Sequence, residues 1–151
     1  MRRIVRYFVL ALYFAFLIYG LFFTVSRAHI NYSFTEYVIK TSNIKPFYTI
    51  VTYIKAVQDG SMNLDIPIRN MLGNLLLFVP YAYFYYIWKK PDPYQFLLST
   101  TGILLATEVL QMALRVGFFD IDDILLRLAG AASAYYILRS CHGRKKADHL
   151  N

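Results

Sequence analysis

Residues 96–114 form an apolar run long enough to cross a bilayer, and one ionisable side chain, Glu108, interrupts it. A helix rises about 1.5 Å per residue, so ~20 residues span a hydrocarbon layer of ~30 Å. A charge inside such a helix costs roughly 2.5–3.5 kcal/mol on insertion scales, so its position faces a bundle interior or a wet cavity. Three further apolar blocks lie at residues 7–25, 71–88 and 121–138. The chain has 151 residues, of which 58% are hydrophobic and 18% aromatic, more than one small soluble core would bury. The apolar residues come in long blocks, not in short amphipathic stripes. The expected fold is an all-α integral membrane protein: a bundle of four transmembrane helices forming a single domain over residues 1–151.

The charges orient this bundle. Arg2, Arg3 and Arg6 precede the first span, Lys89 and Lys90 follow the second, and Arg139, Arg144, Lys145 and Lys146 follow the fourth. These nine cations fall on one side of a four-span arrangement with only Asp92 and Asp148 against them, which accounts for the whole net charge of +7. The positive-inside rule places both termini, with a basic tail at 139–151, in the cytoplasm. Dispersed cations beside apolar spans are membrane anchors, so nucleic acid is not an expected partner. The apolar run after Arg6 is too long for a cleaved signal peptide. With one cysteine, Cys141, no intramolecular disulfide is possible, and a plain cytoplasmic thiol is favoured over a lipidated one.

In this orientation the unusual polar residues gather toward the outer leaflet. Glu108 and Gln111 share a helix face, as do Asn70 and Asn74. Each pair fits either a ligand site or interhelical hydrogen bonding worth about 0.6–2 kcal/mol. Pro80 removes the backbone donor for the Leu76 carbonyl, so the second span is expected to bend. Asp120, Asp122 and Asp123 crowd the start of the fourth span. Asp120 suits an N-cap, and the three together need an offsetting cation, from Arg115, Arg127 or a bound ion. Glu108, Asp120 and Asp123 are weak metal candidates, and neither spacing nor ligand count demands a metal. His29, His142 and His149 show no metal spacing, and no catalytic triad or phosphate loop is present; no cofactor is expected. The small residues from Ala129 to Ala134, with Gly102 and Ala106, indicate close helix packing.

The first outer loop, residues 26–69, carries Phe47, Ile50, Val51, Ile54 and Val57 at helical spacing, between Pro46 and Gly60. A short amphipathic helix is expected there, either in the membrane interface or packed on the bundle top.

Three blocks resemble the VanZ-like family of small bacterial membrane proteins. Asn43-Ile44-Lys45-Pro46-Phe47-Tyr48-Thr49-Ile50 is similar to its N-L-I-P-F-x-T-I segment. Asn70-Met71-Leu72-Gly73-Asn74-Leu75-Leu76-Leu77-Phe78-Val79-Pro80 is similar to its N-x-x-G-N-x-x-x-F-x-P. Glu108-Val109-Leu110-Gln111, followed by Phe119-Asp120-Ile121-Asp122-Asp123 and Gly130, resembles its E-x-x-Q, F-D-I-D-D and later glycine. Two positions depart: Tyr81 follows Pro80 where the family has glycine, and Arg127 stands where it has asparagine. Arg127 lies one helical turn beyond Asp123, so an ion pair between them is expected.

The resemblance implies a multi-pass protein of the bacterial cytoplasmic membrane with an envelope-associated function, linked in the name-giving member to low-level resistance to teicoplanin, a lipoglycopeptide. Together with the polar cluster, it points to an outward-facing pocket of Asn70, Asn74, Glu108, Gln111, Asp120, Asp123 and Arg127 that engages a lipid-linked envelope molecule or a lipoglycopeptide. The partners would be membrane lipids. The alternative is a membrane enzyme that modifies a lipid headgroup or cell-wall precursor with Glu108 as acid or base. A third possibility is a structural or proton-coupled membrane subunit.

Overall fold

The helices follow from local signals. The computed structural model describes residues 2–23, 32–90 and 92–148, with backbone alone at 2 and 143–148. The end of the expected first span, His29 and His149 lie outside these residues. The elements are α1 (Arg2–Phe22), α2 (Phe34–Thr41), α3 (Tyr48–Gln58), α4 (Asp65–Leu77), α5 (Val79–Lys89), α6 (Pro93–Ala113) and α7 (Ile121–Asp148). Ser33 and Glu36 cap α2 reciprocally, each side chain meeting the other's backbone N–H. Asp92 caps α6 by accepting from the Gln95 N–H at 3.0 Å, and Pro93 opens the helix. After α6 the chain reverses at Arg115, in the left-handed region at φ 53°.

Among the described residues, three helical stretches are long and apolar enough to cross a membrane: Arg3–Phe22, Asp65–Lys89 and Pro93–Ala113. The expected fourth span is helical but falls outside this set. Asp122, Asp123, Arg127 and the glycine-alanine-serine run lower the apolar content of α7. That helix also runs on to Asp148, so residues 139–148 of the expected tail continue it. The second stretch begins at Asp65 instead of 71 and is two helices, broken at Phe78 two residues before Pro80. The break is where the missing proline donor placed it. The α2 helix was not anticipated, although its Ser-x-x-Glu capping pattern stands in the sequence.

The packing reverses that of a soluble protein. Apolar side chains such as Ile4, Phe8, Leu98 and Leu105 are exposed, while Asn74, Thr100, Glu108, Gln111, Asp122 and Arg127 are buried. The α7 helix packs along α4, α5 and α6. Its small residues allow this: a Cβ on Gly130 would stand 1.7 Å from the Leu75 carbonyl oxygen of α4. Further along, Tyr135 is fully buried, stacked on Phe96 of α6 at 4.3 Å between ring centroids. The α1 helix is more peripheral, held by Tyr13 donating to the Leu77 carbonyl at 3.0 Å and by Leu21 accepting from Gln111 at 2.6 Å.

The expected helix around residue 50 is α3. Its apolar stripe is divided: Ile50 and Val57 are half-buried, whereas Phe47, Val51 and Ile54 are exposed.

Candidate functional site

Arg127 projects from the first turns of α7 with 4% of its surface exposed. Each edge of its guanidinium meets a different helix. Nη1 pairs with Glu108 of α6, Nη2 reaches Asp123 of its own helix at 3.2 Å, and Nε donates to Asn74 of α4 at 2.8 Å. Asn74 closes the ring by donating to Asp123 at 2.7 Å and to Asn70 at 3.4 Å. Glu108, 1% exposed, accepts from the Asp120 N–H through its second oxygen at 3.4 Å. A guanidinium fork can satisfy three acceptors that a compact ammonium could not reach together. The ring therefore ties α4, α6 and α7 at one level, and pairing offsets the desolvation of each charge.

Above the ring, the aspartates divide their work. Asp120 accepts from Asn43 at 3.0 Å, from the Thr49 hydroxyl at 2.6 Å and from the Asp122 N–H at 2.9 Å. Asp122 turns the other way and caps α3, receiving the backbone N–H groups of Phe47, Thr49 at 2.8 Å and Ile50 at 3.3 Å. A carboxylate at a helix N-terminus meets unpaired donors and the positive end of the dipole. The Asn43 backbone is stitched to the α6–α7 connection, donating to Phe119 O at 2.7 Å and accepting from Ile121 N at 3.0 Å. The Asn-x-x-Pro-Phe block and the Asp-Ile-Asp-Asp block thus form one unit. Phe47 takes a left-handed φ of 65° to present these amides.

Beside this unit lies a cavity of about 380 Å³. Asn70, Asn74, Gln111, Asp120, Asp123 and Arg127 line it. The seventh expected residue, Glu108, sits behind Arg127 and is not part of the lining. Gln111 comes close because Gly117 has no side chain; a Cβ there would stand 3.1 Å from its Nε2. Thr49 and Tyr53 of α3 also face the cavity. Burial, followed by the charges of Asp123 and Asp120, raises the Tyr53 hydroxyl above its ordinary pKa, so it remains a neutral donor. The expected Asp123–Arg127 pair is present. Arg115, the other cation considered, donates instead to the Tyr32 carbonyl at 2.9 Å. Among the described residues, no three His, Cys, Asp or Glu side chains are placed to share one metal ion.

Sequence reasoning did not place Thr49 or Tyr53 at this cavity, nor Asn43 and Asp122 in the hydrogen-bonded unit beside it. Asn43 and Thr49 stand in the first quoted block, and Tyr53 follows Thr49 by one helical turn on the inward face.

The chain matches the VanZ/LLP1 family over residues 8–142, which takes in all seven helices in whole or in part. No curated protein and no solved structure matches it significantly. By the length of that match, and with all three motif blocks inside it, the chain belongs to the VanZ/LLP1 family.

Proposed function

We propose that this chain is a single VanZ-like domain of the bacterial cytoplasmic membrane with both termini in the cytoplasm. Four helices cross the bilayer, α7 being the fourth, and α3 lies in the outer interface. The cavity opens outward and engages a lipid-linked envelope molecule or a lipoglycopeptide, which contributes to low-level glycopeptide resistance of the teicoplanin type. The observation that carries this reading is the polar cavity beside the Glu108–Arg127–Asp123–Asn74 ring. Buried charges in apolar helices are costly, and here they shape a space lined by amide and carboxylate groups instead of filling it. A space of a few hundred cubic ångströms suits a headgroup or a peptide stem. The fourth span is supported by the burial of α7 among α4, α5 and α6, which supplies the apolar surroundings its own sequence lacks.

The enzyme alternative is less favoured. Both Glu108 oxygens are already engaged, and the residue does not reach the cavity surface. A general acid or base must meet the atom it protonates.

The test is identification of the lipids that copurify with wild type and with Glu108→Gln. Selective loss of one envelope lipid in the variant supports the binding role, and identical lipid sets refute it. Turnover of a labelled envelope lipid, abolished by the same change, would instead favour the enzyme. Orientation is tested with single cysteines at Ser61 and Ala147 in a Cys141→Ser background. An impermeant thiol reagent on intact cells should label the first only; the reverse pattern refutes the outward opening.

A further inference from the structure

A second, larger cavity of about 740 Å³ adjoins the first. Thr49, Tyr53, Phe118 and Asp120 line both, so the two spaces share a wall. Their charges are opposite. Lys40 and Lys45 line the larger one, both exposed, and neither takes part in an ion pair among the described residues. Lys40 lies over the Tyr32 ring at 4.3 Å, which leaves its ammonium at the cavity edge.

Acidic groups outnumber cations around the smaller cavity. Glu108 and Asp123 share the single guanidinium of Arg127. Asp122 is matched by the α3 amides. Among the described residues, Asp120 accepts from neutral donors, namely Asn43, Thr49 and the Asp122 amide. Three carboxylates thus stand against one cation around a space that Asp120 and Asp123 both line. An independent feature points the same way. Gln111 lines this cavity with 4% of its surface exposed, and its buried Oε1 has no hydrogen-bond partner among the described residues. Its amide cannot simply be reversed, because Nε2 donates to the Leu21 carbonyl at 2.6 Å. A buried acceptor without a donor is unfavourable. A further positively charged hydrogen-bond donor would match both the surplus carboxylate and the Gln111 oxygen.

We propose that the two cavities form one bipartite site for a zwitterionic lipid headgroup. Its anionic group lies beside Lys40 and Lys45, and its primary ammonium enters the cavity of Asp120, Asp123 and Gln111. This rests on the envelope-amphiphile function proposed above and names the ligand's class. A primary ammonium carries three donors and a full charge, matching two carboxylates and an amide oxygen. A quaternary ammonium has the charge and no donor. Tyr53 and Thr49, on the shared wall, separate the two ends of the headgroup.

The experiment uses the full chain in detergent and measures binding of phosphatidylethanolamine, phosphatidylcholine and phosphatidylglycerol with identical acyl chains by native mass spectrometry. Charge-assisted hydrogen bonds are worth about 1.5–3 kcal/mol, so phosphatidylethanolamine is expected to bind about 10-fold tighter than either of the others, or more. Asp120→Asn should abolish that preference. The double change Lys40→Gln/Lys45→Gln should weaken phosphatidylethanolamine and phosphatidylglycerol together. Equal affinity for all three lipids in wild type overturns the proposal, and this comparison decides the matter even where Asp120→Asn fails to fold. If the lipids bind equally but Asp123→Asn weakens them all, the headgroup assignment falls while the cavity remains a lipid site. If no lipid binds at all, both fall.

Discussion

Replacing Arg127 with methionine tests the physics of the site most directly. Methionine has a similar length and no charge, so the substitution removes the ion pairs with little loss of volume. Glu108 loses its ion-pair partner, Asp123 loses a contact at 3.2 Å, and Asn74 loses the donor to its carbonyl oxygen. At an effective dielectric constant of ~20, two unit charges 3.2 Å apart attract by about 5 kcal/mol before desolvation. The measured cost of stranding one partner of a buried pair is smaller, about 3–5 kcal/mol. For a chain of this size, each kcal/mol lowers the melting temperature by roughly 2–4 °C, so a fall of about 6–20 °C is expected. The assay is thermal unfolding in a fixed detergent, read by the loss of monodisperse protein. The double variant Glu108→Gln/Arg127→Met removes the stranded charge and should recover a substantial part of the loss. A single variant within about 2 °C of wild type, or a double variant no better than the single, would refute a buried, mutually compensated pair.

Three other outcomes are expected. Gly130→Ala places a methyl group 1.7 Å from the Leu75 carbonyl oxygen, so α4 and α7 must separate. The loss of stability should be roughly 3 kcal/mol or more, read in the same melting assay. Asp122→Ala leaves the first amides of α3 without an acceptor and should cost about 1–3 kcal/mol; hydrogen exchange should rise across α3 and stay unchanged in α5. At Glu36, hydrogen bonds from the Ser33 amide and hydroxyl hold the carboxyl below its ordinary value of 4.5. Its capping contribution is therefore fully present above about pH 4.5 and is lost as pH falls through the lower folded value. Amide exchange in α2 should show this acid dependence in wild type and lose it in Ser33→Ala.

Much of the architecture was legible because the bilayer permits so few solutions. A segment of ~20 apolar residues must be helical there, since each backbone group needs an internal partner. That constraint located α1 and α6 from composition alone, and the proline chemistry at Pro80 located the break between α4 and α5. The helical spacing in the long loop located α3 between Pro46 and Gly60. The same reasoning anticipated that Glu108 would be buried and that Asp123 would face Arg127 one turn away, because both follow from helix periodicity.

What lay outside the sequence depends on contacts between distant segments. Asp122 and Asp120 are two positions apart, yet one caps α3 and the other holds Thr49 and Asn43. That division is set by how the residue 43–50 block folds onto the start of α7, more than seventy positions later in the chain. Likewise, the 121–138 block reads as a helix from its own residues, whereas the partners of its charges depend on Glu108 and Asn74 arriving from α6 and α4. Local pattern accounts for the long apolar helices, for α3 and for the inward turn of residues such as Glu108 and Gln111, since these follow from helix periodicity and from the cost of unsatisfied groups in an apolar medium. Tertiary packing alone settles which carboxylate meets which cation, that Glu108 stands behind Arg127, and that Lys40 and Lys45 line a cavity next to that of Asp123, with Asp120 facing both. Helix periodicity fixes the direction of a side chain within one element, whereas pairing between elements depends on their rotation and depth, which no local pattern encodes.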